Sequence, residues 1–495
     1  MGDNQAELLV GRIIGRSVWL YASNITNQVF GLVYWIILSS IAGTVIVGLT
    51  SVSIGLALLL GATANLGTTM GLQRYLGKAF SKNDPVEAAE YFWSTFTVIG
   101  GIYSAIMITL VMLAVNNISI GAISSQILYV SSIMIAVYLL YYTQILLISR
   151  LETLKVLVST IAANIAKFSV GIPLTIVLSS WLGAAFGFIV YYIVLGMIGF
   201  YYILSMNIKP RINIRKSLII IKAGLANWIP NIIALSGQWL GVLALFNFTN
   251  PSLTGSYYIV STIVLAILSL TNSIYNLTLP VLSGLDDQRK RINSLVLKIA
   301  LVLTLPIFTL LFAYPEELLS LLNIYDIEAP TIMRLLILGS IITIVSSNIS
   351  TLVYAYGKYN KTLAIGVSQN LPRVALYYIL TPIMRGIGAA LSYIMGSITG
   401  LIVSLHTSYK VKYDIDASII LKTIAVPLSI AVPVIMFKLP FVLGSIMIIS
   451  AYLIYIKIGV LNINEIVLLI SELPYNDKIV SIIYRLKNIV DRGKE

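Results

Sequence analysis

Long apolar runs separated by short polar segments dominate the hydrophobic pattern of this chain. Each run is long enough to form an α-helix that crosses a bilayer, which takes about 20 residues for a hydrocarbon core of roughly 30 Å. The pattern predicts an all-α, polytopic membrane protein with about fourteen membrane-spanning helices. Their predicted limits are Ser17–Ala42, Val45–Gly71, Ala88–Val115, Ser119–Ser149, Val156–Ser179, Leu182–Met206, Ser217–Phe246, Thr254–Ser283, Ser294–Tyr314, Met333–Tyr356, Thr362–Thr381, Gly386–Ser408, Ala417–Phe437 and Phe441–Val460.

The segment after the last run has a different periodicity. Between Lys478 and Val490, apolar residues recur with helical spacing among basic residues. This spacing predicts an amphipathic helix that lies on the cytoplasmic face of the membrane.

Basic residues are concentrated in every second loop. Arg74, Lys78 and Lys82 follow the second run, whereas the alternate loop at 314–330 contains four acidic residues. Cytoplasmic loops carry the excess of Lys and Arg, so we expect both termini in the cytoplasm of a multi-pass protein of the cell membrane.

Composition narrows the class of protein further. The chain has 495 residues, 58% of them hydrophobic and 10% charged, and a net charge of +13. In a membrane protein this charge fits cytoplasmic loops and anionic lipid headgroups rather than nucleic acid. With no cysteine, a single histidine and no Walker A pattern, the sequence predicts a transporter without cofactor, metal site or enzymatic activity.

The chain contains an internal repeat. Asn164-Ile165-Ala166-Lys167 has a counterpart in Asn370-Leu371-Pro372-Arg373, at an offset of 373 − 167 = 206. Leu182-Gly183-Ala184-Ala185 matches Ile387-Gly388-Ala389-Ala390 at an offset of 388 − 183 = 205. Six spans per repeat predict two lobes of parallel topology that are related by a pseudo-twofold axis along the membrane normal. The predicted regions are a first lobe at 1–206, a basic linker at 207–217, a second lobe at 218–410, two further spans at 411–460 and a tail at 461–495.

Lys167 and Arg373 are the main candidate site residues. Each follows the basic residue at the cytoplasmic end of its span by 12 positions, or roughly 18 Å of helix. A cation at this depth costs roughly 2.5–3.5 kcal/mol on insertion scales, and we expect no acidic residue inside any predicted span to neutralise it. The hypothesis is that both bind the phosphates of a substrate; the alternative is snorkelling or neutralisation by backbone carbonyls.

Other polar residues have two interpretations each. Asn164 and Asn370 lie one helical turn before the cations and bind either glycan hydroxyls or neighbouring helices. Arg74 is either a first contact for a substrate headgroup or a membrane anchor. Asn24, Gln28 and Asn231 either line a cavity or form hydrogen bonds between helices. Paired tyrosines such as Tyr191-Tyr192 fit either sugar stacking or an interfacial belt.

Several diffuse motifs, spread over about residues 10–460, occur in a familiar order. Gly71-Leu72-Gln73-Arg74-Tyr75 closes the second run, Gly255-Ser256-Tyr257 opens the eighth, and Gly386-Ile387-Gly388-Ala389-Ala390 opens the twelfth. Together with the 6 + 6 layout, they resemble the polysaccharide-transport branch of the multidrug/oligosaccharidyl-lipid/polysaccharide (MOP) exporter superfamily. The resemblance implies two six-helix lobes in a V around a cationic cavity, in which Lys167 and Arg373 match the basic lining.

The function that follows is a flippase that moves a lipid-linked oligosaccharide to the outer leaflet by alternating access of the two lobes. Its partners are then the anionic lipid-linked glycan, membrane lipids and, through the pathway, glycosyltransferases. The alternatives are a multidrug or organic-cation exporter of the same superfamily, a polytopic envelope glycosyltransferase or polymerase, and a scaffold or lipid scramblase.

Overall fold

The computed structural model describes the backbone of residues 2–206, 208–284, 288–414 and 417–460, and side chains from residue 19 onward with few exceptions. The predicted amphipathic helix between Lys478 and Val490, and with it the tail at 461–495, lies outside the described residues.

The described residues fold into seventeen α-helices, and a 3₁₀ turn at Leu139–Tyr141 lies between α5 and α6. In chain order the helices are α1 (Gly2–Ala42), α2 (Thr44–Ala64), α3 (Thr68–Ser81), α4 (Pro85–Val115), α5 (Ser125–Tyr138), α6 (Tyr142–Ser149), α7 (Thr153–Leu178), α8 (Trp181–Ser205), α9 (Ile214–Phe248), α10 (Pro251–Gly284), α11 (Arg289–Ala313), α12 (Pro315–Ser320), α13 (Ala329–Ala355), α14 (Tyr359–Lys410), α15 (Ala417–Met436), α16 (Phe441–Ile449) and α17 (Ala451–Lys457).

Length and hydropathy make most of these helices candidate membrane spans. Eleven helical segments of the described chain are long and apolar enough to cross a membrane, and two shorter apolar segments follow at Ile420–Met436 and Phe441–Lys457. One of the eleven, α14, is 52 residues long and covers two of the predicted spans. The prediction of an all-α, multi-pass membrane protein is confirmed, whereas fourteen crossings stay a prediction.

The second predicted span ends earlier than its hydropathy indicated. Instead of continuing to Gly71, α2 ends at Ala64, and Gly67 takes a left-handed conformation with φ of 72°. The backbone carbonyl of Gly224 lies so close to Gly67 that a Cβ there would overlap it. Only glycine tolerates both the positive φ and this close approach, so the apolar run breaks into two helices. Arg74 therefore lies on the separate helix α3.

A second break divides the long helix α14. Arg385 has non-helical angles (φ 51°, ψ −128°) between the two predicted spans. Glu328 holds this break: one carboxylate oxygen is 3.3 Å from Arg385 Nε, and the other accepts a hydrogen bond of 2.9 Å from the Gly386 amide. An acceptor at the start of the second segment satisfies a backbone donor that the break has freed.

The described residues fall into two compact units. The first is drawn from Met1–Ile263, Leu319–Leu335 and Gly366–Gly396. Within it, α2 meets α10 where Thr44 and Ser252 share a hydrogen bond of 2.9 Å. Both deep cations, Lys167 and Arg373, belong to this unit.

The second unit is drawn from Val264–Leu318, Leu336–Ile365 and Ser397–Glu495. Within it, Asn293 donates a 2.7 Å hydrogen bond to Asn348, and Tyr314 donates a 2.8 Å hydrogen bond to the Leu439 carbonyl. The division into lobes at 207–217 stays a prediction.

Candidate functional site

Helices α7 and α8 form a closely packed hairpin. A Cβ on Gly183 of α8 would overlap the backbone of Thr175 on α7, and one on Gly187 would lie 2.9 Å from the Gly171 Cα. Small residues let membrane helices approach each other closely, and here they bring the aromatic side chains of α8 against α7.

Lys167 lies near the middle of α7. It is 167 − 153 = 14 residues after the first residue of the helix and 178 − 167 = 11 before the last, or about 17 Å from the nearer end. The side chain is buried, with 2% of its surface exposed. Its ammonium donates a hydrogen bond of 2.8 Å to Asn164 Oδ1, one turn away, and does not extend toward either end of the helix.

Four aromatic rings enclose the Lys167 ammonium. The distances from Nζ to the ring centroids are 5.0 Å for Tyr34, 5.1 Å for Phe188, 5.5 Å for Tyr191 and 5.7 Å for Phe168. A cation within about 6 Å of a ring centroid is attracted to the ring face. Among the residues that the structure describes, no carboxylate lies within 4.0 Å of Nζ. Aromatic rings and one amide thus take the place of a counter-ion.

Asn164 also connects α7 to α1. Its Nδ2 group donates a hydrogen bond of 2.9 Å to the Thr160 carbonyl and one of 3.3 Å to Asn27 Oδ1. The Tyr191 hydroxyl donates a hydrogen bond of 3.2 Å to the same Asn27 oxygen. Asn164 therefore bridges helices in this structure and orients the lysine at the same time.

Arg373 occupies a similar position in α14. It is 373 − 359 = 14 residues after the start of the helix and 385 − 373 = 12 before the break at Arg385. The side chain is 6% exposed, and its guanidinium lies 4.1 Å from the centroid of Tyr393. One guanidinium nitrogen donates a hydrogen bond of 3.4 Å to Asn370 Oδ1, which reproduces the pairing of Lys167 with Asn164.

The aromatic partners of the two cations also follow the repeat. Phe188 and Tyr393 are separated by 393 − 188 = 205 positions, the same offset as Gly183 and Gly388. Each repeat thus places an amide, a cation and an aromatic ring in one cluster.

The remaining candidates do not join these clusters. Arg74, Asn24, Gln28 and Asn231 are all exposed, and none of them forms a hydrogen bond with Lys167 in the described part of the chain. A polar side chain at membrane depth must face water or protein, so their exposure on α1 and α9 agrees with a cavity lining.

Most of the aromatic enclosure was not predicted from the sequence. Tyr34, Phe168 and Phe188 were not among the candidate residues, because isolated aromatic residues in apolar runs are too frequent to be informative. The matched spacing of Phe188 and Tyr393 after the repeated glycine is the one signal that could have identified an enclosing ring.

The expectation that no predicted span contains an acidic residue is wrong, because Glu90 falls within the span predicted at Ala88–Val115. Glu90 lies in the first turns of α4, where it is 4.0 Å from Lys216 Nζ, and Glu87 is 3.1 Å from the same nitrogen. These carboxylates belong to a polar cluster at the start of α4, and neither pairs with Lys167.

The helical architecture agrees with solved membrane-transporter structures. A structure described as "Lipid II flippase MurJ, inward closed conformation" has a TM-score of 0.75 at 16% identity, and the match covers 89% of this chain and 98% of that one. An inward-facing multidrug resistance MATE family transporter of the MOP superfamily has a TM-score of 0.63 at 13% identity, covering 78% and 95%. A MOP superfamily transporter from Pyrococcus furiosus has a TM-score of 0.54 at 15% identity, covering 81% and 96%.

The fold is therefore the one found in solved structures of MOP superfamily transporters, and the resemblance seen in the sequence is confirmed at the level of the fold. A family described as "Polysaccharide biosynthesis protein" matches residues 53–323, more than half of the sequence, and the chain belongs to this family. No curated protein matches the sequence.

Proposed function

We propose that this protein is a flippase that moves a polyprenyl-phosphate- or polyprenyl-diphosphate-linked oligosaccharide from the cytoplasmic to the outer leaflet. Membership of a polysaccharide biosynthesis family supports a glycan-related substrate. The fold supports transport, since one protein that shares it is described as a lipid II flippase and others as transporters. Glycosyltransferases of the same pathway would supply the substrate.

One observation carries the proposal: Lys167 is buried at mid-helix without a carboxylate partner among the described residues. An ammonium has three N–H donors, and Asn164 takes one of them. The other two face aromatic rings, which attract a cation but accept hydrogen bonds poorly. A phosphate would supply oxygen acceptors and a full negative charge, which is worth about 4 kcal/mol per unit charge at 4 Å and an effective dielectric constant of 20.

Arg373 would bind the same headgroup in a different way. Its planar guanidinium can donate two parallel hydrogen bonds to phosphate oxygens, whereas Lys167 acts as a point charge. In the proposed mechanism, two lobes rock about a cationic cavity and expose the headgroup first to the cytoplasm and then to the outside. A headgroup of charge about −2 that moves outward gains roughly 4.6 kcal/mol per 100 mV in a cell that is negative inside.

The second candidate function is export of organic cations. The rings around Lys167 are of the kind that binds such cations, and proteins with this fold include multidrug transporters. The Lys167 ammonium already occupies that enclosure, however, and would repel a second positive charge. The anionic substrate is therefore the better fit.

Reconstituted proteoliposomes can test the proposal with a fluorescent polyprenyl diphosphate disaccharide. We expect Lys167→Met and Arg373→Met each to slow flipping at least about tenfold, since each removes one charged hydrogen bond to the headgroup. Lys155→Met is the matched control: it lies on the same helix, 12 positions earlier, in a half-buried ion pair of 3.4 Å with Glu152.

The control variant should flip at close to the wild-type rate. A Lys167→Ala/Arg373→Ala double variant that keeps the full rate would refute an anion site at these residues. Faster transport of organic cations by Lys167→Met, with no effect on the glycolipid, would favour the second candidate.

A further inference from the structure

Four tyrosine rings form a continuous series that begins at Lys167. Tyr191, whose centroid is 5.5 Å from the Lys167 ammonium, contacts Tyr192 at 5.1 Å between centroids. Tyr192 contacts Tyr138 at 5.4 Å, and Tyr138 stacks on Tyr141 at 6.0 Å with an angle of 3° between the ring planes. We call Tyr138, Tyr141, Tyr191 and Tyr192 the tyrosine ladder.

The ladder lies too deep in the membrane for an interfacial belt. Tyr191 is 191 − 181 = 10 residues from one end of α8 and 205 − 191 = 14 from the other, which places it about 15 Å from the nearer end. Tyr138 precedes the 3₁₀ turn at 139–141, and Tyr141 is the last residue of that turn, which interrupts the helical segment 125–149. Belt aromatics lie at the headgroup level, so these rings need a different explanation.

The hydroxyl groups of the ladder are available for further hydrogen bonds. All four residues are half-buried, and Tyr191 donates to Asn27. The hydroxyls of Tyr138, Tyr141 and Tyr192 form no hydrogen bond with the residues that the structure describes, and none belongs to the fully enclosed polar atoms. A hydroxyl in contact with hydrocarbon and without a partner is costly, so these groups must face water or a polar ligand.

The fold does not require rings at these positions. At the offset of 205, Tyr191 corresponds to Gly396 and Tyr192 to Ser397, so the second repeat builds the same span without aromatic side chains at these two positions. The ladder is specific to the first repeat, as expected for residues that meet one part of an asymmetric ligand.

We propose that the tyrosine ladder binds the sugar rings next to the phosphate of the cargo, an inference that rests on the proposed function. In a lipid-linked glycan the first sugar is attached directly to the phosphate, so a sugar-binding surface has to start beside the anion-binding group. Tyr191 meets that condition because its ring is one of the four that enclose the Lys167 ammonium. Tyrosine offers a flat apolar face for the C–H side of a sugar and a hydroxyl for its polar edge.

The test compares two probes on protein in nanodiscs: a polyprenyl diphosphate disaccharide and the same polyprenyl diphosphate without sugar. We expect Tyr192→Leu and Tyr141→Leu to weaken binding of the sugar-bearing probe roughly five- to tenfold and to leave the sugar-free probe unchanged. Tyr141→Phe, which keeps the ring, should lose less affinity for the sugar-bearing probe than Tyr141→Leu. Tyr201→Leu is the matched control, an exposed tyrosine nearer the end of α8.

Each other outcome overturns the inference in a distinguishable way. Equal weakening of both probes would mean that the ladder only supports the Lys167 enclosure, and no weakening of either would mean that it does not meet the cargo. Both results leave the proposed function standing. Wild-type protein that binds neither probe would overturn the proposed function and the sugar site together.

Discussion

The hydrogen bond between Lys167 and Asn164 offers a quantitative test of the deep-cation site. Its length is 2.8 Å, both residues are buried, and Asn164 supplies the one oxygen acceptor that the described residues offer to the ammonium. Hydrogen bonds to charged groups contribute about 1.5–3 kcal/mol, more than the roughly 1 kcal/mol of neutral ones. Removing the acceptor should therefore destabilise the protein mainly while the lysine is present.

A double-mutant cycle isolates that contribution. Asn164→Leu alone also removes the hydrogen bonds to Thr160 and Asn27, but those losses are the same whether residue 167 is lysine or methionine. We expect Asn164→Leu to cost about 1.5–3 kcal/mol more in the native background than in the Lys167→Met background. The measurement is the free energy of unfolding in mixed detergent micelles, followed by tryptophan fluorescence of the six native tryptophans.

A half-buried ion pair on the same helix, with both side chains in contact with solvent, serves as the control cycle. Lys155 and Glu152 are 3.4 Å apart, with side chains 32% exposed, and exposed ion pairs contribute only about 0.2–1 kcal/mol. The Glu152→Gln/Lys155→Met cycle should therefore show the smaller coupling. Mutations at independent sites add to within about 0.5 kcal/mol. A coupling energy between Asn164 and Lys167 below that value would refute the view that the Asn164 amide stabilises the Lys167 charge.

Three further predictions concern geometry, packing and topology. Arg373→Lys should weaken binding of a polyprenyl diphosphate about tenfold in nanodiscs, because an ammonium has neither the planar stacking surface nor the fork of the guanidinium; unchanged affinity would argue against planar recognition. Gly183→Ala should lower the free energy of unfolding by about 1–3 kcal/mol, because the new Cβ overlaps backbone atoms of α7. Gly101→Ala is the control and should be neutral or slightly stabilising, because nothing lies within 4 Å of the new Cβ. Equal effects of the two substitutions would contradict the close packing of the α7–α8 hairpin. The absence of native cysteine allows clean single-cysteine labelling: Ser81→Cys should react from the cytoplasm and Ser119→Cys from outside, and the reverse pattern would contradict the orientation drawn from loop charges.

Most of the secondary structure and the positions of the two cations along their helices could be predicted from the sequence alone. A membrane helix satisfies its own backbone hydrogen bonds and needs only a sufficient apolar length, both of which are local properties of the chain. Lys167 therefore lies near the middle of α7, and Arg373 near the middle of the α14 segment before the break at Arg385, as counting from the basic loops predicted. The family resemblance could also be recognised from the sequence, because it depends on the order of motifs along the chain.

The surroundings of each cation, in contrast, depend on how the helices pack. The rings near Lys167 come from α1, α7 and α8, and their convergence depends on helix rotation and on the close approach at Gly171 and Gly187. Hydropathy carries no information on the rotation of a helix about its own axis. It also did not predict the break at Gly67, where contact with Gly224 ends the second span. Contacts between helices are distant in sequence, so a local pattern of residues cannot specify them.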